Sequence, residues 1–249
     1  MFGAAGRMGR TVCEAVAGDP GLELVAAVDP GHGDLEVEGV AVSDGPAALA
    51  AAGATVAVDF TAAEAARDNL DWCADNGVHA VVGTTGLTDD DLARLRERFI
   101  DHGCVVAPNF AIGAVLMARF AEMAAPWFET AEIIELHHDA KVDAPSGTAM
   151  ATAGRMASAS SEWSADPTTA LVLEGARGGR GPGGIPIHSV RLRGLVAHQE
   201  VLLGTTGQLL TLRHDSLDRT SFMPGVLLAV KAVPDLPGLT VGLDRLLGF

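Results

Sequence analysis

Gly3-Ala4-Ala5-Gly6-Arg7-Met8-Gly9 is the stretch on which the fold turns. Glycines at this spacing, set ahead of the helical periodicity of Arg7–Ala17, describe a tight turn that feeds a helix. Such glycines let the backbone approach a pyrophosphate, and the open N–H groups of the helix start hold its charge. The pattern is GxxGxxG, with Ala5 where the commoner GxGxxG has its second glycine. A plain tight turn in an Ala- and Gly-rich chain reads the same way, so the context has to carry the argument.

That context is strand–helix alternation. Short apolar runs at Leu22–Val28, Thr55–Phe60, His79–Val82 and Cys104–Ala107 alternate with helical stretches at Arg7–Ala17, Ala62–Asp75 and Asp89–His102. Buried strands separated by helices imply a parallel sheet covered on both faces. The run Leu22–Val28 ends at Asp29, 20 residues beyond Gly9. An acidic residue there can accept hydrogen bonds from the ribose hydroxyls of a dinucleotide, though a turn residue before Pro30 would look alike. Gly83-Thr84-Thr85-Gly86 and Ala107-Pro108-Asn109-Phe110 also follow strands, at the end of the sheet where such folds bind ligands; turn chemistry alone explains them equally well. The run Asp89–Asp91 reads as charge that complements a helix start.

After Asn109 the order changes. A helix, Gly113–Ala125, precedes a strand, Glu132–His137, and a second helix begins near Ser146. Extended runs follow at Ile185–Leu192, Leu195–Leu203 and Gln208–Arg213, and a last helix, Met223–Ala232, is expected to end the regular structure. Gly175–Gly184 reads as one mobile loop. The fold expected is α/β: a Rossmann-like parallel-sheet cofactor domain plus an α+β domain with a mixed, largely antiparallel sheet. The change of order after Asn109 marks the boundary between them.

The chemistry concentrates in Glu135-Leu-His137-His138-Asp-Ala-Lys141-Val-Asp-Ala-Pro-Ser146-Gly147-Thr148. Two imidazoles and an ammonium fall within five positions, where a strand ends and a helix begins. Bare N–H groups at a Pro-Ser-Gly-Thr helix start, beside cations, suit a carboxylate. Two structural histidines on a strand edge are the bland alternative. A metal fits poorly: there is no HExxH and no Cys/His cluster, and Lys141 opposes a cation.

Composition narrows the rest. The formal net charge is −15, which repels nucleic acid and anionic lipid and makes any local cationic cluster informative. No apolar run approaches the ~20 residues of a membrane helix, and Met1–Gly9 does not read as a secretory leader. Cys13, Cys73 and Cys104 are scattered and unpaired in pattern, so disulfides and zinc are not expected and inert buried thiols are. These features point to the cytoplasm, with neither nucleic acid nor membrane as partner.

The segments GAAGRMG, VGTTG, APNFAIG, ELHHDAKVDAPSGTA and RHDSLDRTSFMPG together resemble the 4-hydroxy-tetrahydrodipicolinate reductase (dihydrodipicolinate reductase) family. The resemblance runs nearly end to end, and the HHxxKxDAPSGTA block is its specific part. It implies a cofactor domain over 1–108, rejoined by 219–249, and a substrate-binding and oligomerisation domain over 109–218. It implies reduction of 4-hydroxy-tetrahydrodipicolinate to tetrahydrodipicolinate, by NADH or NADPH, in diaminopimelate and lysine biosynthesis, by a homotetramer. It implies cofactor contacts from Gly3, Ala4, Ala5, Gly6, Arg7 and Met8, from Asp29, from Gly83, Thr84 and Thr85, and from Ala107, Pro108, Asn109 and Phe110. It implies His137 as the acid/base group and Lys141 as a second proton donor. His138, Ser146, Gly147 and Thr148 would hold the carboxylates of a small dicarboxylate substrate. Asp29 followed by Pro30, in place of a cation for a 2′-phosphate, leads us to expect NADH to serve at least as well as NADPH.

Two other readings compete: an NAD-dependent amino-acid or semialdehyde dehydrogenase, and a non-catalytic nicotinamide-binding redox sensor. The His137–Lys141 cluster argues against both. Finally, only Met1 and Phe2 precede Gly3, against about 5–6 residues in an ordinary strand. The expectation is that the natural polypeptide starts upstream with an apolar strand. The alternative is that two residues suffice because assembly and cofactor stabilise the fold.

Overall fold

The computed structural model describes Met1–Phe249. It divides into two compact units, Met1–Ala111 with Arg219–Phe249, and Ile112–Asp218. Along the chain the first unit carries α1 (Arg7–Ala17), β1 (Ala27–Val28), β2 (Glu36–Val37), β3 (Val40–Ser43), α2 (Ala47–Ala51), β4 (Val56–Asp59), α3 (Ala63–Asp75), β5 (His79–Val82), α4 (Asp89–Arg98) and β6 (Gly103–Val106). The second carries α5 (Ile112–Ala124), β7 (Thr130–His137), α6 (Gly147–Ala159), β8 (Gly179–Arg180), β9 (Pro186–Arg191), β10 (Ala197–Thr205) and β11 (Gln208–Ser216). The chain returns to the first unit with α7 (Met223–Ala232) and β12 (Gly238–Val241).

In the first unit β12, β6, β5 and β4 lie side by side, all parallel. Phe2 extends that order, bridging in parallel to Asp59 on β4 and to Val28 on β1. β1 then pairs with β3 in parallel, and β3 with β2 antiparallel. The strand faces are filled by Val28, Ala57, Ala80, Val82, Cys104 and Val106, against Leu49, Leu70, Leu95 and Phe99 from the helices and their ends. Burial pushes the Cys73 thiol up to about 12, which keeps it protonated and unreactive, and all three cysteines are buried and free.

Two expectations are corrected here. The strand read over Leu22–Val28 shrinks to Ala27–Val28. Extended backbone is held by a neighbour, and between this segment and β4 stand only Met1 and Phe2. The Met1 ammonium donates to Ala26 O at 2.8 Å, Val28 N to Met1 O at 2.8 Å, and Phe2 N to Val58 O at 2.9 Å. Ahead of those contacts, a cavity of 470 Å³ opens between Leu22–Ala26 and Gly53–Val56, floored by Val12, Val16 and Val230. Burial pulls the proton affinity of the Met1 amine below its usual value. The second correction concerns the end of the chain: α7 is not the last element, because β12 pairs along β6 from Gly238↔Gly103 to Val241↔Val106.

Smaller differences have local causes. The third expected helix stops at Arg98, since Phe99 leaves helical geometry and is buried in the core. Its acidic start does more than oppose the dipole. Thr88 and Asp91 form a reciprocal capping box, and Arg67 grips Asp91 at 2.7 and 2.8 Å, holding that carboxyl well below its usual range.

The second unit is a five-stranded mixed sheet in the order β11-β10-β7-β9-β8. β10 pairs antiparallel with both β11 and β7; β9 runs parallel to β7, placing Arg191 opposite His137. Gly175–Gly184, expected as a loop throughout, contains the short edge strand β8 and a helical turn at Pro182–Gly184. One sheet face packs Ile133, Ile187, Val201 and Leu203 on Met117, Ala121, Ala149, Ala153 and Met156 of α5 and α6. Leu192 and Leu209 remain exposed. No helix of the chain is long and apolar enough to cross a membrane.

Candidate active site

The glycine turn is built as close backbone contact demands. Gly3 has φ +73°, a conformation side chains resist, and a Cβ on Gly9 would stand 1.9 Å from the Gly3 carbonyl oxygen. Gly6 caps α1 in extended conformation with no side chain on the helix N–H groups, and no acidic residue lies in the first turn. An uncapped helix start behind a tight turn fits the pyrophosphate of a dinucleotide. Ala4 and Gly9 are buried, Met8 is half-buried, and Gly6 and Arg7 are exposed.

Asp29 faces this turn. Its Oδ2 accepts the Ala5 N–H at 2.9 Å, and its Oδ1 lies 3.1 Å from His32 Nδ1. A carboxylate has about four acceptor positions, so capacity for ribose hydroxyls remains. Nothing in the sequence around His32 marks it as a neighbour of Asp29. Asp59 was missed as well. It is buried at the end of β4, and its Oδ1 accepts Thr84 Oγ1–H at 2.6 Å, Thr61 Oγ1–H at 2.7 Å and Thr61 N–H at 3.0 Å. Asn69 holds Oδ2 at 2.8 Å. Asp59 thus anchors the Gly83–Thr85 loop, with Thr84 buried and Thr85 exposed. In the third loop, Asn109 Oδ1 accepts Ala111 N–H at 2.8 Å. Ala107 and Phe110 are buried and Pro108 is exposed; the Phe110 ring packs against Phe60 with centroids 5.8 Å apart.

The second cluster sits in the other unit, where β7 ends and α6 begins. Alternation along β7 turns Ala131, Ile133 and Glu135 inward, and His137 follows on the same side. Glu135 is fully buried. His137 Nδ1 lies 2.5 Å from its Oε2, Arg191 donates from Nη2 to Oε1 at 2.8 Å and from Nη1 to Oε2 at 2.9 Å, and Ser146 N–H donates to Oε1 at 3.2 Å. Burial alone would raise the Glu135 proton affinity, but hydrogen bonds from Arg191, Ser189 and His137 outweigh it and hold the carboxyl below its ordinary range. For His137, burial lowers proton affinity most; the Glu135 carboxylate raises it, Lys141 and Arg191 oppose that, and the net shift is downward.

Lys141 is paired with Asp143 at 2.7 and 2.8 Å, which holds that carboxyl low. Arg193 pairs with Asp139 at 2.7 Å. Ser146 is buried, and its Oγ caps α6 by accepting Ala149 N–H at 3.2 Å. His138 and Gly147 are exposed and Thr148 is half-buried. Arg191 escaped the sequence reading because it lies 56 residues from Glu135 and only the parallel pairing of β9 with β7 joins them. Nothing local marks it. Glu135 could have been found from its inward position in an otherwise apolar alternation.

Comparison with known proteins gives one answer along the whole chain. Residues 1–110 match the family model for the dihydrodipicolinate reductase N-terminus, and residues 113–247 the model for its C-terminus. The 4-hydroxy-tetrahydrodipicolinate reductase of Cutibacterium acnes is 54% identical over 255 residues, covering 100% of this chain and 98% of that protein. That of Streptomyces coelicolor is 50% identical over 254 residues, covering 99% and 96%. Among solved structures, dipicolinate-bound dihydrodipicolinate reductase from Paenisporosarcina sp. TG-14 is similar with a TM-score of 0.86 and 42% identity, covering 98% of this chain and 97% of that one.

Proposed function

The chain belongs to the dihydrodipicolinate reductase family, and from that premise we propose that its two units divide the reaction, the first binding the nucleotide and the second holding and protonating the substrate. It is an NAD(P)H-dependent oxidoreductase that reduces 4-hydroxy-tetrahydrodipicolinate to tetrahydrodipicolinate, a step toward diaminopimelate and lysine.

The nucleotide supplies a hydride when bound. Gly3–Met8 would hold its pyrophosphate at the open start of α1, Asp29 its ribose, and the loops Gly83–Thr85 and Ala107–Phe110 the remainder. Asp29 repels a 2′-phosphate and Pro30 offers no countercharge, so NADH serves at least as well as NADPH; Arg7 is the cation that permits both.

The 4-hydroxyl leaves as water to give a conjugated cyclic imine, and hydride added to that conjugated system leaves electron density that must take up a proton. An imidazole suits that task near neutrality, and His137 delivers it through Nε2, the ring nitrogen not engaged by Glu135. Lys141 is the second proton donor. Its pair with Asp143 is surface-exposed on the carboxylate side and worth little, so a substrate carboxylate can take the place of Asp143. His138 and the N–H groups of Gly147 and Thr148 hold the carboxylates. Ser146 acts from behind, since its hydroxyl caps the helix that presents those groups. Dipicolinate, the ligand of the solved relative, is a dicarboxylate of matching chemistry. A homotetramer built on the sheet of β7 to β11 would cover exposed side chains such as Leu209.

The observation that carries this reading is the buried Glu135, which ties the end of β7 to the start of α6 and so joins the proton donor to the anion cradle. The test is a coupled assay in which pyruvate and aspartate semialdehyde generate substrate while NADH absorbance is followed. His137→Ala and Lys141→Ala are each expected to lower kcat by ~10²–10⁴ while leaving nucleotide binding intact, and His138→Ala to act on KM. Near-normal turnover in His137→Ala would remove His137 as the donor.

A further inference from the structure

Glu135 is fully buried, and no proton or hydride in the reaction as described passes through it. A carboxylate set in a row of apolar residues persists only if its charge is matched and its lone pairs are filled. Both conditions hold. The oxygens accept two bonds from Arg191, one from His137 and one from the Ser146 N–H, and Ser189 donates as well, so the roughly four acceptor positions of a carboxylate are filled. Arg191 is itself fixed, donating to Val190 O at 2.8 Å and Asp143 O at 2.6 Å.

We propose that Glu135 is the positioning residue of this site: it holds His137 by Nδ1–H, so that Nε2 is the nitrogen turned to proton transfer, and Arg191 keeps the carboxylate seated and ionised. The pairing rests on geometry alone; its consequence for rate rests on the reading of His137 as proton donor. A histidine without such a partner exchanges its ring proton between two nitrogens, and only one tautomer leaves Nε2 open to gain and pass a proton. Because the same carboxylate takes the Ser146 N–H, it also fixes the start of α6 relative to the imidazole.

The groups that act on His137 are few. Glu135 comes from its own strand, Arg191 from β9 and Lys141 from the following loop, while its register partner on β10 is the uncharged Ala197. The anion favours imidazolium and the two cations oppose it. Removing Glu135 and removing Arg191 must therefore move His137 in opposite directions, which general damage to the fold does not do.

The experiment is ¹⁵N-histidine NMR across pH on the full-length wild type, Glu135→Gln and Arg191→Met, with kcat measured over the same pH range. Wild type is expected to show neutral His137 with its proton on Nδ1. Glu135→Gln should lower the His137 midpoint by about one unit, a tenfold loss of proton affinity, and Arg191→Met should raise it. An Nε2–H tautomer in the wild type, or midpoints that stay put in a folded variant, would overturn the proposal. Should Glu135→Gln not fold, the wild-type tautomer and the Arg191→Met shift still decide. If the midpoints move as expected but the alkaline limb of kcat does not follow, Glu135 keeps this role and His137 loses that of donor.

Discussion

Gly9→Ala puts the nucleotide cradle under the sharpest available strain. The added methyl would meet backbone on every near side: the Gly3 carbonyl oxygen at 1.9 Å, the Gly3 carbonyl carbon at 2.7 Å and Ala4 Cα at 2.9 Å. None of these is a flexible side-chain end. Opening the first contact to the 3.4 Å of an ordinary one requires a displacement of about 1.5 Å. Gly3 and Ala4 are also the residues that can least move, because their N–H groups donate to Val28 O at 2.8 and 3.2 Å. The strain falls either on that ladder or on α1, which must tilt away from the turn. Either way the N–H groups meant for the pyrophosphate are misplaced, and a misplacement of about 1 Å costs on the order of 10²-fold in a positioned interaction. Overpacking of this kind also destabilises by ~1–3 kcal/mol. Isothermal titration with NADH should show Kd raised about 100-fold, with a modest fall in Tm. Unchanged NADH affinity in a folded Gly9→Ala protein would refute the assignment of this turn to the nucleotide.

Four further outcomes are expected. The alkaline limb of kcat/KM should reflect His137 in the free enzyme: a donor must be protonated, burial lowers its affinity, and activity is therefore lost as pH rises through a midpoint below about 6.5. Bound dicarboxylate favours imidazolium, so the limb for kcat should lie at higher pH; coincident limbs would count against contact between substrate and His137. Comparison of kcat/KM for both nucleotides should show NADH at least equal to NADPH, and Asp29→Asn should shift the ratio toward NADPH by removing a charge that repels the 2′-phosphate; a strong wild-type preference for NADPH would end the role given to Asp29. Light scattering at micromolar concentration should give a tetramer, and a stable monomer would contradict the proposed sheet interface. Four or five alternating apolar residues added ahead of Met1 should enter the cavity between Leu22–Ala26 and Gly53–Val56, gain ladder bonds of ~1 kcal/mol each and raise Tm by several degrees; an unchanged Tm would show that this cavity does not accept a strand.

What the chain determined by itself was whatever depends on neighbours in sequence. Arg7–Ala17 and Met223–Ala232 were legible to the residue because helical periodicity and turn chemistry are local. The HHxxKxDAPSGT segment stood out for the same reason, since a strand end, two imidazoles, an ammonium and a helix start lie within a dozen positions. Tertiary structure decided whatever depends on a partner from far away. Leu22–Ala26 reads as a strand but forms none, because a strand is a pairing: the Met1 ammonium meets this segment at Ala26 O, and Phe2 bridges beyond it, at Val28. Gly238–Val241 reads as nothing in particular, yet becomes β12 because β6 offers it an edge. The site divides along the same line. His137, Lys141 and Thr148 could be named from spacing, whereas Arg191 reaches Glu135 only through the β7–β9 register, and Asp59 meets Thr84 only because β4 and β5 end side by side. The groups proposed to touch ligand cluster where the chain turns. Those that hold them in place are recruited from wherever the sheet brings them.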